Sequence, residues 1–149
     1  MICDIGGDDV GSIALGQYRP RFEQIPADKM HVLFVVNPLR PTAADLPSAL
    51  DTLYKIQYVS RLTVTGIVNN ANLAGETDVS HLLEGYELVK ALSRQTGIPV
   101  WGTCGRLEVL SSFQEYAQTH DLDPAYIGKY QPIEVMMHRS WDKFLAEGL

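Results

Sequence analysis

The first residues that suggest chemistry are an aspartate and two glycines near the amino terminus. Asp4 follows the apolar residues Ile2 and Cys3 and precedes Gly6 and Gly7. A carboxylate at the end of a buried strand is costly unless a cation or hydrogen-bond donors meet it, and a hydrated Mg²⁺ is one such partner. The glycines would then let the backbone approach a phosphate. Alternatively, the Asp4 side chain caps the turn that follows it, and the residues alone leave both interpretations open.

The spacing of Gly6 and Gly11 invites comparison with the phosphate-binding loop GxxxxGK[ST]. The comparison fails because Ser12 follows Gly11 directly, so this loop has no lysine for the β- and γ-phosphates. Asp8 and Asp9 would also place negative charge against the phosphates. The sequence Gly-Lys followed by Ser or Thr occurs nowhere in the chain.

Several polar or aromatic residues directly follow apolar segments. Asn70 offers one donor and one acceptor side by side, which suits the edge of an adenine base, although asparagine is also a common turn residue. Trp101 is suited to stacking on a base or to filling a core. Arg40 and Arg106 are placed to meet a phosphate or to lie on the surface. Cys104 has no adjacent histidine or lysine that would lower its thiol pKa.

Apolar and amphipathic segments alternate along the chain, and each apolar segment is short enough to be a strand. Residues 42 onward predict a helix with Asp45 in a capping-box variant and with Leu46, Leu50 and Leu53 inward. Thr77 and Gly97 are the expected ends of a helix over residues 78–95. We predict strands at residues 1–5, 31–37, 62–68, 98–101 and 133–137, further helices at 11–18, 106–119 and 141–147, and a loop at 19–29.

This alternation is typical of βαβ units, so the predicted fold is α/β, with a mostly parallel open sheet flanked by helices. We expect residues 1–149 to form a single domain. The strand at 31–37 is apolar throughout, which indicates that both of its faces are covered. Ligands of such sheets bind at the carboxyl ends of the strands, and Gly102 and Thr103 are expected to end the strand that begins at residue 98.

The composition is that of a folded soluble domain: 46% of the 149 residues are hydrophobic and 20% are charged. The formal net charge of −6 argues against general binding to nucleic acid or to anionic membranes. Two distant cysteines favour a reducing, cytoplasmic compartment. The longest apolar run, near residues 32–36, is far too short to be a transmembrane segment, for which roughly 18 residues are needed.

Three stretches, in this order, resemble the later part of the MinD/ParA/CobQ-type ATPases, the deviant-Walker group of P-loop proteins. Residues 2–11 (Ile-Cys-Asp-Ile-Gly-Gly-Asp-Asp-Val-Gly) resemble the Walker B strand and switch loop. Residues 35–42 (Val-Val-Asn-Pro-Leu-Arg-Pro-Thr) resemble the strand and loop that follow. Residues 66–72 (Gly-Ile-Val-Asn-Asn-Ala-Asn) are similar to the strand and loop on the adenine side.

The resemblance implies an ATP-binding switch protein that works with Mg²⁺. Asp4 would hold the Mg²⁺ through water, Gly7 would sense the γ-phosphate, and Asn70 would contact adenine. The segment that could line the base pocket is Trp101, Gly102 and Thr103. Proteins of this family commonly form a homodimer around ATP and couple hydrolysis to a protein partner or cargo.

One departure from the family is large. The family begins with a strand, a glycine-rich loop bearing two lysines, and a helix, and this chain contains none of them. Those groups supply most of the phosphate binding and nearly all of the catalysis. We therefore interpret the chain as the later part of a P-loop nucleotide-binding domain, which we expect to be inactive in isolation.

Loss of that central strand has a structural consequence. The strand at residues 1–5 would pair directly with the strand at 31–37, or another chain would fill the gap. Right-handed crossovers between successive neighbours would place every helix on one face of the sheet. The opposite face would be bare and apolar, so we expect the chain to self-associate or to bind a partner.

Two classes of function follow from these observations. The first is an ATPase of the deviant-Walker type that lacks its Walker A segment. The second is a non-catalytic α/β interaction module, a pseudo-ATPase. A receiver-like domain fits less well, because no late predicted strand ends in lysine.

Overall fold

The computed structural model describes residues 2–6, 13 and 15–134. It confirms the α/β class. A four-stranded open sheet has the strand order β1-β2-β3-β4, and all three neighbouring pairs are parallel. The strands are β1 (Leu33–Val36), β2 (Gly66–Asn69), β3 (Val100–Gly105) and β4 (Lys129–Pro132). The helices are α1 (Arg19–Phe22), α2 (Leu46–Ser60), α3 (Val79–Thr96) and α4 (Leu107–Thr119).

The three long helices form one layer on one face of the sheet. α3 packs against β2 and β3 and contacts both α2 and α4. This arrangement follows from the strand order, because right-handed crossovers between successive neighbours return each helix to the same side. The expectation that these helices share a face is therefore confirmed for the part of the chain that the structure describes.

Helix α2 begins later than the sequence predicts. Pro41–Ala43 forms a short 3₁₀ turn instead, and Asp45 is the residue that caps α2. Its carboxylate accepts a hydrogen bond from the Ser48 backbone N–H at 2.9 Å, and hydrogen bonding to the Ser48 side chain and to this N–H lowers the pKa of Asp45. Asp45 thus satisfies an N–H group that has no partner within the helix, which is why the helix begins at Leu46.

Helix α3 begins at an acidic cap one residue beyond the predicted threonine. The Asp78 carboxylate accepts from the backbone N–H groups of Ser80 and His81, and the Asp78 N–H donates to His81 Nδ1. This is a capping box with histidine at its third position. Gly97 ends the helix at φ 72°, as predicted, because glycine adopts this left-handed conformation without steric cost.

The core lies between the sheet and the helix layer. Phe34 and Val36 of β1 and Ile67 of β2 face Leu53, Val89 and Leu92 of the helices. A second cluster joins α3 to α4 and contains Leu82, Tyr86, Leu110, Phe113 and Ile127. The buried residues of α3 and α4 recur at the helical period, which places them on the inner side of each helix.

Five other predictions differ from the structure. The strand at 31–37 is not covered on both faces, because Leu33 and Val35 are 40% and 55% exposed on the face away from the helices. Residues 2–6, which carry most of the predicted first strand, form neither strand nor helix. The predicted loop at 19–29 contains α1 and a 3₁₀ turn at Ala27–Lys29. The strand at 62–68 begins only at Gly66. The last described strand, β4, ends at Pro132, just before the predicted strand at 133–137, of which residues 135–137 lie outside the described residues. The helix at 11–18 is described only in part, and the terminal helix at 141–147 lies outside the described residues.

Candidate functional site

The carboxyl ends of the parallel strands meet at one edge of the sheet, where two asparagines join neighbouring loops. The Asn37 Nδ2 donates to the Asn72 carbonyl at 3.1 Å, and Asn37 Oδ1 accepts from the Asn72 N–H at 3.4 Å. Oδ1 also accepts from the Leu39 N–H at 3.1 Å, which forms the turn after β1. Asn37 therefore fixes the loop after β2 against the loop after β1.

Asn69, the last residue of β2, is a structural residue. It is fully buried, its Nδ2 donates to the Leu82 carbonyl at 3.1 Å, and its Oδ1 accepts from the Ala71 N–H at 3.2 Å. Helix α3 approaches it at Gly85, where a Cβ atom would overlap the Asn69 amide. The glycine is thus needed for close packing between β2 and α3.

The loop between β2 and α3 is held by internal hydrogen bonds. Thr77 is buried and its Oγ1 accepts from the Leu73 N–H at 2.8 Å. Asn72 Oδ1 accepts from the Ala74 N–H at 2.6 Å. Ala74 has φ 54°, a left-handed conformation that costs a non-glycine residue of the order of 1 kcal/mol. The loop therefore has one defined shape.

Arg106 connects this loop to the end of β3. Its Nη2 donates to the carbonyls of Thr77 at 3.1 Å and Gly75 at 3.3 Å. Its Nε is buried and has no hydrogen-bond partner in the described part of the chain. A buried donor without a partner is uncommon in folded proteins and is often met by a water or a ligand atom. In the sequence, Arg106 stood out only as an arginine that follows a predicted strand.

A cavity of about 190 Å³ lies where these elements meet. Its walls come from the β2–α3 loop, the start of α4 and the chain just after β4. Ile133 is held there by a hydrogen bond from its N–H to the Gly105 carbonyl at 2.9 Å. The lining residues are Asn72, Ala74, Thr77, Gly105, Arg106, Ile133 and Glu134. This is the position at which parallel α/β sheets bind ligands.

Asn70 differs from the other asparagines at this edge. Its backbone N–H donates to the Val36 carbonyl at 2.8 Å, which places it between the ends of β1 and β2. Its side chain is half-buried and makes no hydrogen bond among the described residues, whereas Asn37, Asn69 and Asn72 all use theirs. Its amide is therefore available to a ligand.

The predicted base-pocket segment lies inside a strand. β3 continues to Gly105, so Gly102 and Thr103 do not form the loop that we expected. A Cβ at Gly102 would meet the Lys129 carbonyl of β4, so this glycine allows a close backbone approach and does not mark a turn. Thr103 is fully buried and its hydroxyl donates to the Ile127 carbonyl at 2.9 Å. The loop at this edge begins at Gly105 and Arg106.

Trp101 faces away from the helix layer. It covers Gly66 of β2, where a Cβ would overlap the indole, and its ring lies 4.4 Å from the His31 ring between centroids. Its side chain is 40% exposed and is absent from the cavity lining. The structure therefore places it on the open face of the sheet, away from both the core and the cavity.

The amino-terminal residues do not extend the site. Asp4 is exposed, lies in a segment without regular structure and does not line the cavity. Gly7 lies outside the described residues. Among the described residues, no three His, Cys, Asp or Glu side chains gather as metal ligands. A Mg²⁺ ion at Asp4 would therefore need water or phosphate oxygens as its other ligands.

Cys104 is partly buried on β3, and burial raises the pKa of its thiol. The thiol form dominates at neutral pH, which agrees with the absence of an activating neighbour in the sequence.

None of the helices described here is both long and apolar enough to cross a membrane. No protein-family model, curated protein or solved structure matches this chain.

Proposed function

We propose that this chain is the base-binding part of an ATP-binding switch protein of the MinD/ParA/CobQ type. The observation that carries the proposal is the cavity at the carboxyl edge of the parallel sheet, where open α/β sheets bind nucleotides. Asn70 is not among the residues that line this cavity, but it lies two residues before Asn72 on the loop that forms one of its walls, and its amide makes no hydrogen bond among the described residues. The buried Nε of Arg106 is a further donor that has no partner among the described residues.

The residues of this chain would bind and orient the base. Asn70 would present its amide donor and acceptor to the adenine edge. The Asn37–Asn72 hydrogen bonds and the Arg106 bonds to the loop carbonyls hold the surrounding backbone in place. A loop that is ordered before binding loses less conformational entropy when the ligand enters.

The phosphate-binding part is a separate requirement. Phosphate groups bind to backbone N–H groups and a lysine of a glycine-rich loop, and this chain has no GK[ST] sequence. We propose that hydrolysis occurs when such a segment is supplied, with Asp4 then serving the metal, and that the complete unit forms a dimer with ATP in a cytoplasmic setting.

The base-binding step is testable on the chain as it is. In an NMR titration with adenosine at millimolar concentration, we expect shifts confined to the amides of residues 69–77 and 105–106. Replacement Asn70→Ala should weaken adenosine binding about tenfold, which corresponds to about 1.4 kcal/mol for the lost hydrogen bonds. Absence of shifts at these amides would refute the proposal.

A matched control is Gln95→Ala, which removes an exposed side-chain amide near the end of α3. The end of α3 lies near the edge of the sheet where β3 begins, and the cavity lies at the opposite edge, where the strands end. This change should therefore leave adenosine binding unchanged. If Gln95→Ala weakens binding as much as Asn70→Ala does, the shifts report nonspecific association.

The hydrolytic step needs a fusion protein. A glycine-rich phosphate-binding segment fused upstream of residue 1 should produce Mg²⁺-dependent ATP binding measured by calorimetry, and Asp4→Ala should abolish hydrolysis. The same fusion with its phosphate-contacting lysine replaced is the control. If calorimetry detects no ATP binding to the intact fusion, the proposed hydrolytic step is contradicted.

A second candidate is a non-catalytic interaction module. The side chains of Leu33, Val35 and Trp101 are 40%, 55% and 40% exposed on the face opposite the helices. Exposed apolar side chains gathered on one face are typical of interaction surfaces. This candidate predicts partner binding that does not change when ATP is added.

A further inference from the structure

Strand β1 is an edge strand whose outer backbone groups have no partner strand among the described residues. The Val32 and Val36 carbonyls accept hydrogen bonds from Thr65 and Asn70, so these residues face β2. Because backbone groups alternate in direction along a strand, the N–H and C=O groups of Leu33 and Val35 face outward. They form a template for a further strand.

The two edges of the sheet differ in how well they are protected against addition of a further strand. β4 is the opposite edge, and it carries Lys129 and Pro132, which are residues that discourage strand addition. β1 has neither, and residues 30–39 contain no Asp, Glu, Lys or Arg at all. Of the two edges of the described sheet, only β1 thus combines outward backbone groups with an uncharged, apolar surface.

We propose that β1 pairs with β1 of a second copy of this chain in an antiparallel arrangement. A two-fold axis perpendicular to the sheet at Phe34 places Leu33 opposite Val35 of the second copy and Val35 opposite Leu33. Both are hydrogen-bonded pairs, so each exchanges two backbone hydrogen bonds. The outcome is a continuous sheet across both copies, with the helix layers on the same side.

The occupant is a second copy because this strand is complementary to itself. In the proposed register, the exposed Leu33 and Val35 side chains lie on the same face and contact each other across the axis, where apolar cross-strand pairs stabilise a sheet. No like charges oppose each other over residues 30–38, and His31 lies opposite Asn37. The interface is isologous, as closed two-fold dimers require.

The oligomeric state tests the proposal. Sedimentation equilibrium of the full chain should show a monomer–dimer equilibrium at micromolar concentration. Val35→Lys should shift the chain to the monomer by placing two like charges near the axis. Tyr58→Lys is the control, because Tyr58 is 85% exposed on α2, and it should leave the dimer intact.

Val35→Pro is a second variant that keeps the fold. It removes only the outward N–H, since the backbone of Val35 faces away from β2, and edge strands tolerate such a proline. Circular dichroism should be unchanged while the dimer is lost. A wild-type chain that stays monomeric, or a dimer that persists in both Val35 variants, overturns the proposal.

Cross-linking tests the register. In a Cys3→Ser, Cys104→Ser background, Leu33→Cys and Val35→Cys chains are mixed and oxidised. Opposite residues of a hydrogen-bonded pair have Cα atoms about 5.5 Å apart, within disulfide range. The mixed 33–35 disulfide should therefore dominate over 33–33 and 35–35, and equal yields of all three would contradict the register. None of these experiments uses nucleotide. A negative result would therefore overturn the dimer proposal and leave the proposed function untouched.

Discussion

Asn37 and Asn72 hold each other by two hydrogen bonds, from the Asn37 Nδ2 to the Asn72 carbonyl and from the Asn72 N–H to the Asn37 Oδ1, at 3.1 and 3.4 Å. One side chain thus orders the loops after two different strands. Because α/β sheets bind ligands at this edge, the shape of the candidate site depends on these bonds.

Replacement Asn37→Ala should therefore destabilise the fold by about 2 kcal/mol, since it removes three hydrogen bonds from a half-buried side chain. Urea denaturation measures the change, and hydrogen exchange should accelerate at residues 72–77. Asn70→Ala is the matched control, and we expect a change below about 0.5 kcal/mol because its amide makes no bond in the described part of the chain. Equal losses in both variants would contradict this account.

Gly85→Ala should destabilise the protein by about 1–3 kcal/mol, because the added methyl group overlaps the buried Asn69 amide. The control is Gly75→Ala, where nothing lies within 4 Å of the new Cβ. Urea unfolding of both variants distinguishes them. A tolerated Gly85→Ala would mean that α3 can move away from β2 at no cost.

Stability should depend on pH through the cap of α3. Hydrogen bonds from Ser80 and His81 lower the pKa of Asp78 in the folded state, so its contribution is present above the unfolded pKa and is lost as the pH falls through the folded pKa. Asp78→Ala should thus lower the thermal midpoint at pH 7, and the difference from wild type should shrink in acid. Glu84→Ala, on the exposed face of α3, should show neither effect.

The two cysteines should differ in reactivity. Burial raises the pKa of the Cys104 thiol, whereas Cys3 is exposed. Since the thiolate is the reactive form, iodoacetamide at pH 8 should modify Cys3 at least about tenfold faster than Cys104. Peptide mass spectrometry measures both rates. Similar rates would show that the β3 segment around Cys104 opens readily.

The order of elements from β1 to α4 was predictable from the chain because it depends on local patterns. The inward stripe of α3, from Leu82 to Leu92, follows the 3.6-residue period, and the apolar run around Phe34 has the length and β-branched content of a strand. Alternation of the two types then leads to a parallel sheet, as observed. Gly97 was also recognisable, because few other residues end a helix with a positive φ.

The site was less predictable, because it depends on contacts between distant residues. Gly102 resembles a turn residue in sequence, and only the approach of the Lys129 carbonyl shows that it belongs inside β3. Because β3 extends to Gly105, the loop at this edge begins at Arg106 and not at Gly102. The Arg106 Nε is buried only in the assembled sheet of β2, β3 and β4. Asn69 and Asn70 are identical in type, yet one is buried against α3 and the other has an unused amide.

Periodicity and residue type determined the class of fold, the helix stripes and the chemistry of the polar residues between the elements. Tertiary structure alone decided which of those polar groups are already satisfied, which edge of the sheet is protected and where the cavity lies. The physical reason is that hydrogen-bond satisfaction and burial are properties of pairs of groups far apart in the chain, and a local pattern does not specify its distant partner.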